Sequence, residues 1–548
     1  MRSSPIDKGF MNEFREKRGD SKDRPKTAKN NGKIAAVLDK LGHLRYFIVL
    51  EGIAVGAFGG AAAVLFRYGL EKVSVVIPFI ISKSEENPWV AAAWFLVLAI
   101  AALVTRLLVF AEPMIGGSGI PQVSGEMHGY FDLVWWRVLA AKIIGGLITI
   151  GCGLCLGREG PSVQIGAMAG KGISRITGRK LTEERLLITC GASAGLAAAF
   201  NAPLAGAIFA LEEIHKNYSM NVLLPALAAS VTSDMVSRKV FGMAPVFDFS
   251  GSEVIGARYF WVILLMAVLI GAVGVCYNKC IAAAQDIYDI IGRKKAGGYL
   301  RTLVPFMCCG VLTFVLPVVL GGGSSLVMDV SYGLSLKMLA ILLAVRFIYS
   351  IISFASGVPG GIFLPLLTLG ALCGGVTHGL ASMAGIDISL PGLVAVAMAA
   401  AFAAIVRSPV TGIVLMVEMT GDLELLLFMA AAALVSYMTA DLLGAEPVYD
   451  QLLQRILIKR EQITTLGSGK KVYTEVSVEL GSKACGQKIK DMQMPEGCLI
   501  VNLIREGREI IPGGDMVIEP LDKIVAVCMA NQLHRVQHML ENRCRVRL

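Results

Sequence analysis

The sequence GREGPSVQIG, residues 157–166, contains the most informative acid of the chain. It places Glu159 between two glycines and just before Pro161, in a protein built from long apolar runs. An ionisable group inside a bilayer is costly, so it indicates an ion pathway or a proton relay. Gly157, Gly160 and Pro161 predict an irregular turn that begins a helix, whose first backbone N–H groups lack partners within the helix. We therefore expect an anion to bind beside Glu159.

The composition is that of an integral membrane protein. Of 548 residues, 55% are hydrophobic and 17% are charged, and the mean hydropathy is +0.64, which excludes a water-soluble enzyme. The twelve cysteines lack metal-ligand spacing, so we expect no metal site. We also expect no nucleic-acid partner. Runs long enough to cross a bilayer lie at 47–66, 89–104 with 107–111, 259–277, 303–320 and 338–354, the last interrupted by Arg346.

Residues 1–45 form a basic segment with twelve Lys or Arg and six Asp or Glu. No short apolar core is followed by a small-residue cleavage site, so the segment is not a signal peptide. A basic flank before the first apolar run predicts a cytoplasmic N-terminus. We expect residues 1–32 to be a solvated, disordered arm.

Two pairs of segments indicate an internal duplication. NAPLAGAIFALE, 201–212, aligns with RSPVTGIVLMVE, 407–418, and GREGPSVQIGAMAG from 157 aligns with GVPGGIFLPLLTLG from 357 at nearly the same offset. The first alignment pairs Pro203 with Pro409, Gly206 with Gly412 and Glu212 with Glu418. Two alignments at almost one shift predict a duplicated membrane domain, with repeats of about 46–250 and 251–460.

Several apolar segments begin at Gly or Pro and are barely long enough to span. They lie at 160–176, 199–213, 361–377 and 408–420. Short, interrupted helices in corresponding positions of two halves predict a binding site near the middle of the membrane.

Three glycine-punctuated helix starts, GSGIPQ at 117–122, GREGP at 157–161 and GGIFLP at 360–365, occur together with Tyr449 in EPVYDQLL. In order and spacing they resemble the anion-site motifs of the CLC family of chloride channels and proton-coupled chloride antiporters. The resemblance covers about residues 45–460. It implies an all-α polytopic membrane protein over 46–460, an inverted-repeat helical bundle that forms a homodimer with one anion pathway per subunit. It also implies a transporter rather than an enzyme, without a cofactor.

The resemblance implies a chloride site built from neutral donors. Ser118 and Tyr449 would present hydroxyls, and backbone N–H groups of Ile362 and Phe363 would complete the shell, beside those of Arg158 and Gly160. A helix N-terminus carries about +0.5 charge. At roughly 5 Å and an effective dielectric near 20, three termini together stabilise a bound chloride by about 5 kcal/mol. One nearby Lys would give a similar stabilisation, but it would require burying a cation. Alone, Ser118 would be read as a turn serine and Tyr449 as an interfacial aromatic.

The resemblance to the CLC family also implies that acidic residues form a proton pathway. Glu159 would be the external gate and proton acceptor, occupying an anion position when ionised and leaving it when protonated. Glu213 matches the family's internal proton-transfer glutamate, while Glu212 is expected to be solvated at a helix end. Glu418 is expected to be structural or at the subunit interface.

Three functions remain open from the sequence. The first is a proton/chloride antiporter of the plasma membrane, with chloride, protons and membrane lipids as partners and both termini in the cytoplasm. The second is a passive, voltage- or pH-gated chloride channel. The third, from another class, is an intramembrane serine hydrolase that uses Ser118 with His128 as its base.

The sequence becomes more polar after residue 460. A polar linker, 461–472, precedes an α+β segment, 473–548, with an alternating strand at 472–480, a hairpin at 498–511, a further strand within 512–528 and a final helix around Val536 and Leu540. PGGDMVIEPLDKIVAV, 512–527, resembles the TrkA-C domain of potassium-channel regulatory subunits. This implies a dimerising regulatory tail that binds a small-molecule ligand; the alternative is a purely structural dimer clamp.

Overall fold

A computed structural model describes residues 27–216, 218–249, 255–292, 297–464, 471–479, 481–505, 508–529 and 532–544, and the expectation for residues 1–26 lies outside them. The membrane helices are α1 Thr27–Val73, α2 Val76–Glu86, α3 Pro88–Ala111, α4 Ile120–Met127, α5 Trp135–Gly151, α6 Glu159–Ile176, α7 Leu181–Phe200, α8 Pro203–Phe209, α9 Met220–Phe241, α10 Phe260–Gly292, α11 Gly297–Val315, α12 Ser324–Ser331, α13 Leu336–Ala355, α14 Phe363–Met383, α15 Leu390–Val406, α16 Pro409–Thr420, α17 Leu426–Leu442 and α18 Val448–Thr464.

The described part of the chain is a multi-pass membrane protein. Six helical segments in it are long and apolar enough to cross a bilayer: Phe47–Glu86, Pro88–Ala111, Ala257–Gly292, Gly297–Val315, Leu336–Ala355 and Phe363–Met383. The last corrects the prediction of a short segment at 361–377, because α14 continues for 21 residues. The predicted span 303–320 also shifts, because α11 ends at Val315, ahead of Pro317.

The first helix is longer at its N-terminal end than the sequence predicted. Residues 27–32, expected to be disordered, belong to α1, which continues without a break to Val73. The expected boundary between residues 45 and 46 therefore falls inside a helix.

Close glycine contacts hold the Glu159 helix, α6, in place. A Cβ on Gly166 would lie 2.1 Å from the carbonyl oxygen of Gly191 on α7, and one on Gly195 would lie 2.1 Å from the carbonyl oxygen of Ser162. The two backbones therefore touch directly, as small residues allow between membrane helices. This contact fixes the height of α6 against its neighbour.

The two repeats contact each other through reciprocal helix caps. Glu212 accepts hydrogen bonds at the start of α16, from the backbone N–H of Thr411 at 2.8 Å. Glu418, its repeat mate, accepts from the backbone N–H of Ala205 at 2.8 Å, at the start of α8. Exchanging the repeats exchanges the two contacts, which agrees with the duplication. Glu212 is therefore not the solvated acid that the sequence predicted, and Glu418 has a structural role as predicted.

The C-terminal unit is a small sheet with one helix. Its strands, β1 Lys471–Ser477, β2 Leu499–Arg505, β3 Arg508–Ile510 and β4 Lys523–Met529, pair antiparallel in the order β1-β4-β2-β3, and helix α19 is Leu533–Cys544. The predicted alternation is present, since Val476 and Val478 are buried. The predicted hairpin is confirmed by the pairing of Leu503 with Ile510, although its turn, 506–507, lies outside the described residues. The unit has its own hydrophobic core, which includes Val536 and Leu540.

Candidate anion site

The three predicted helix starts meet through backbone hydrogen bonds. The N–H of Gly117 donates to Val358 O at 3.1 Å, and that of Gly360 donates to Gly117 O at 3.0 Å. Gly157 and Gly361 exchange a pair of bonds at 2.7 and 2.8 Å. Loops from both repeats therefore form one hydrogen-bonded framework.

The loops leave helix N-termini directed into this framework. Helix α4 begins after Gly119, whose φ of 96° suits glycine, while α6 begins at Glu159 and α14 at Phe363. First-turn N–H groups of a helix have no acceptor within it. A Cβ on Gly160 would lie 2.4 Å from Ser118 Oγ, so only glycine permits the first and second starts to approach this closely.

Glu159 is fully buried at the junction of these starts. Arg158 Nε lies 3.9 Å from its Oε1 atom, and the backbone N–H groups of Glu159 itself and Leu364 face the carboxylate. Neither carboxylate oxygen, however, makes a hydrogen bond of standard geometry with the described residues. A buried carboxylate without a fixed hydrogen-bond partner is easier to displace than a capped one, because fewer bonds must break.

Two buried hydroxyls, those of Ser118 and Tyr449, also belong to the predicted site. Ser118 and Tyr449 are each 2% exposed and interact with each other. Neither oxygen makes a hydrogen bond of standard geometry with the described residues. Buried hydroxyls that make no hydrogen bond of standard geometry can donate to an anion.

A ring cluster that the sequence analysis missed holds Phe363. Its ring centroid lies 5.2 Å from that of Phe200, 5.9 Å from that of Phe209 and 4.7 Å from that of Phe402. The side chain is therefore packed on several sides, and the backbone N–H groups of Ile362 and Phe363 are fixed at the helix start. No spacing signal exists for this cluster, since its members come from four different helices.

Glu213 lies in a π-helical turn, Ala210–His215, that follows α8. Its carboxylate is buried and accepts a hydrogen bond from Ser408 Oγ at 2.8 Å. Lys216 and Asp450 act on it electrostatically and form an ion pair with each other. Asp450 adjoins Tyr449, so the second acid lies on the Tyr449 side of the anion site.

The chain matches two family models. That of the voltage gated chloride channels covers residues 98–441, and that of the TrkA-C domain covers residues 473–541. The chain belongs to the CLC family. This confirms the predicted family, the predicted fold class and the TrkA-C identification, and it makes the chain a transporter rather than an enzyme.

Curated relatives and solved structures agree with this assignment. This CLC chain is 38% identical over 382 residues to the H(+)/Cl(-) exchange transporter ClcA of Vibrio parahaemolyticus, covering 67% of this chain and 80% of that protein. For ClcA of Yersinia pestis the identity is 35%, with 76% and 89% covered. A slow cyanobacterial Cl-/H+ antiporter superposes with a TM-score of 0.71 and 27% identity, covering 75% and 98%. A CLC-type fluoride/proton antiporter, at 22% identity, covers 72% and 95% with a TM-score of 0.60 and shares the fold.

Two buried basic side chains of the CLC chain, Lys142 and Arg346, donate hydrogen bonds to loops that precede helices. Lys142 donates to Ile115 O at 2.8 Å and to Gly117 O at 2.7 Å. Arg346 binds the corresponding loop of the second repeat, donating to Val319 O at 2.5 Å. The signal that predicts such residues is a cation inside an apolar helix, which must find oxygen acceptors.

A cavity of about 320 Å³ has Ser118 in its lining. Basic side chains on its wall are Arg106, Arg301, Arg455 and Lys459. Asp289 receives hydrogen bonds from three of them: Arg301 at 2.9 Å, Arg455 at 3.0 Å and Lys459 at 2.7 Å. Excess positive charge on a recessed wall raises the local concentration of anions. These residues are far apart in the sequence, which is why no motif predicted them.

In this CLC chain, Ser118 and His128 are not arranged as the nucleophile and base of a hydrolase. Ser118 precedes α4 and His128 follows it, so an eight-residue helix, about 12 Å long, separates them. The His128 ring nitrogen Nδ1 lies 2.7 Å from Ser124 O. A nucleophile and its base must lie within hydrogen-bond reach.

Proposed function

We propose that this protein exchanges chloride for protons across the plasma membrane. The observation that carries the proposal is the position of Glu159, a buried carboxylate at the junction of helix starts from both repeats. The relatives from Vibrio parahaemolyticus and Yersinia pestis are named H(+)/Cl(-) exchange transporters. Coupling follows from competition, because carboxylate and chloride seek the same donors.

Glu159 is the external gate in this proposal. When ionised, its carboxylate takes an anion position among the first-turn N–H groups. When protonated, it loses the charge that holds it there, and chloride replaces it. Hydroxyls of Ser118 and Tyr449 and N–H groups of Ile362 and Phe363 bind that chloride, with further N–H groups from Arg158 and Gly160.

Glu213 is the internal proton station. It is buried yet adjoins the Lys216–Asp450 ion pair, so it can receive a proton from the polar side and release it inward. Tyr449 interacts electrostatically with both Glu213 and Glu159. In this proposal the two acids lie on either side of the chloride position, so the proton and chloride routes separate at the Glu213 end.

The proposed oligomeric state, domain arrangement and orientation are those implied by the resemblance to the CLC family. The protein works as a homodimer in membrane lipid, with residues 46–460 as the transport domain and both termini in the cytoplasm. Residues 461–472 link this domain to the TrkA-C domain at 473–548, which binds a small-molecule regulator.

Paired flux measurements on liposomes test the exchange. A chloride gradient is expected to drive protons uphill, so the reversal potential departs from the chloride equilibrium potential. Glu159→Ala is expected to keep chloride flux and lose proton-driven uptake, because no carboxylate remains to carry the proton. A reversal potential equal to the chloride equilibrium potential, with no proton movement, would establish a passive channel instead.

Glu213→Gln separates the second acid from the first. The amide keeps the size of the side chain but binds no proton at this position, so proton flux is expected to vanish while anion flux continues. Coupling equal to that of the wild type would remove Glu213 from the pathway.

A further inference from the structure

The two repeats allow structural contacts to be separated from functional ones. Glu212 takes the N–H groups of Val410 and Thr411 at 3.4 and 2.8 Å. Glu418 takes those of Leu204 and Ala205 at 3.0 and 2.8 Å. Because this cap is present in both halves, it belongs to the duplicated scaffold.

Ser408 occupies the N-cap position of α16 but does not cap it. An N-cap hydroxyl normally accepts a hydrogen bond from a first-turn N–H. Here the carboxylate of Glu212 already accepts those bonds, so the hydroxyl of Ser408 is free for another partner. It donates to Glu213 Oε2 at 2.8 Å, and the two residues are only 1% and 5% exposed.

This second contact breaks the symmetry of the repeats. At the offset that pairs Pro203 with Pro409, Ser408 corresponds to Ala202 and Glu213 corresponds to Met419. The first repeat therefore has no hydroxyl at the position of Ser408, and the second has no acid at the position of Glu213, although it keeps Glu418 at the position of Glu212. The fold requires neither group, so their pairing needs a functional explanation.

We propose that Ser408 is a positioning residue for Glu213 during proton transfer. A hydroxyl both donates and accepts, so it bonds the ionised carboxylate as donor and the protonated acid as acceptor. Glu213 can then gain and lose its proton without losing its partner. The other charged groups that act on Glu213, namely Lys216, Asp450 and Glu212, do not offer both roles.

This inference rests on the proposed exchange, and full-length protein in liposomes tests it. Ser408→Ala is expected to lower proton flux by about tenfold, the usual effect of losing a hydrogen bond to a charged group. Chloride flux is expected to change less than twofold, so more chloride moves per proton. Ser408→Thr keeps a hydroxyl and is expected to restore the wild-type ratio.

Thr411→Val is the matched control at the same helix start. It removes the hydroxyl that donates to Glu212 at 2.6 Å but leaves the backbone cap and Ser408 intact. We expect a lower melting temperature with an unchanged ratio of chloride to protons.

Each outcome decides between readings. If Ser408→Ala keeps the wild-type ratio of chloride to protons, whether its two fluxes are unchanged or fall together, Ser408 does not position the acid. The inference is then overturned. Failure of the exchange itself is seen separately, because the wild-type protein would then move chloride without protons.

Discussion

Tyr449 offers one neutral hydroxyl to the anion site, so its contribution is bounded. Removing a single neutral hydrogen bond costs about 1 kcal/mol, or about fivefold in affinity. Tyr449→Phe is therefore expected to weaken chloride binding by about fivefold in a calorimetric titration. Tyr349→Phe is the control, since that buried hydroxyl donates to Gly153 O at 3.3 Å, away from the site. Equal losses in the two variants would contradict a direct contact.

Lys142 acts on the site through the loop that carries Ser118. Lys142→Met removes the buried donor of Ile115 O, which costs about 1–3 kcal/mol, while Gly117 O keeps its bond from the N–H of Gly360. We expect chloride affinity and melting temperature to fall together. Arg346→Met is expected to lower the melting temperature alone, because its loop carries no proposed chloride ligand. Loss of chloride affinity in Arg346→Met would show that both loops shape the site.

At the level of helices, the approach of two helix starts depends on Gly160. Gly160→Ala places a methyl group 2.4 Å from Ser118 Oγ, and overpacking of this kind costs about 1–3 kcal/mol. We expect a lower melting temperature and weaker chloride binding. Gly292→Ala is the control, because no atom of the described residues lies within 4 Å of the added atom. Wild-type chloride binding in Gly160→Ala would mean that the loops yield without disturbing the site.

The sequence predicted the structure correctly where nearby residues determine where a helix or turn begins. Gly and Pro fix the turns at 117–122, 157–161 and 360–365, so all three helix starts were predictable. The π-helical turn at Ala210–His215 was not, because its residue Glu212 accepts hydrogen bonds from the start of α16 in the other repeat, a contact that local sequence does not reveal. The same contact explains why Glu212 was wrongly expected to be solvated, since a helix-end acid looks exposed when its distant partner is unknown.

For the whole molecule, the membrane unit and the C-terminal unit have separate hydrophobic cores. The core of the C-terminal sheet, which includes Val476 and Leu540, shares no residue with the large membrane core. Deleting residues 471–548 is therefore expected to leave coupled exchange within about twofold of the full chain, as the membrane core alone supplies the burial that stabilises the site. Flux assays on both proteins measure this, and collapse of exchange without protein loss would assign the tail a direct role in transport.

One helix, α18, carries Tyr449 in its first turn and ends shortly before the first strand of the TrkA-C domain. It is about 25 Å long, and its ion pairs to Asp289 extend to Arg301, which donates to Ser356 O at 2.5 Å beside the GGIFLP loop. A regulator that shifts this helix changes chloride affinity by some factor. Thermodynamic linkage then requires chloride to change the regulator's affinity by the same factor. The TrkA-C domain would thus report on the concentration of the ion that the membrane domain moves.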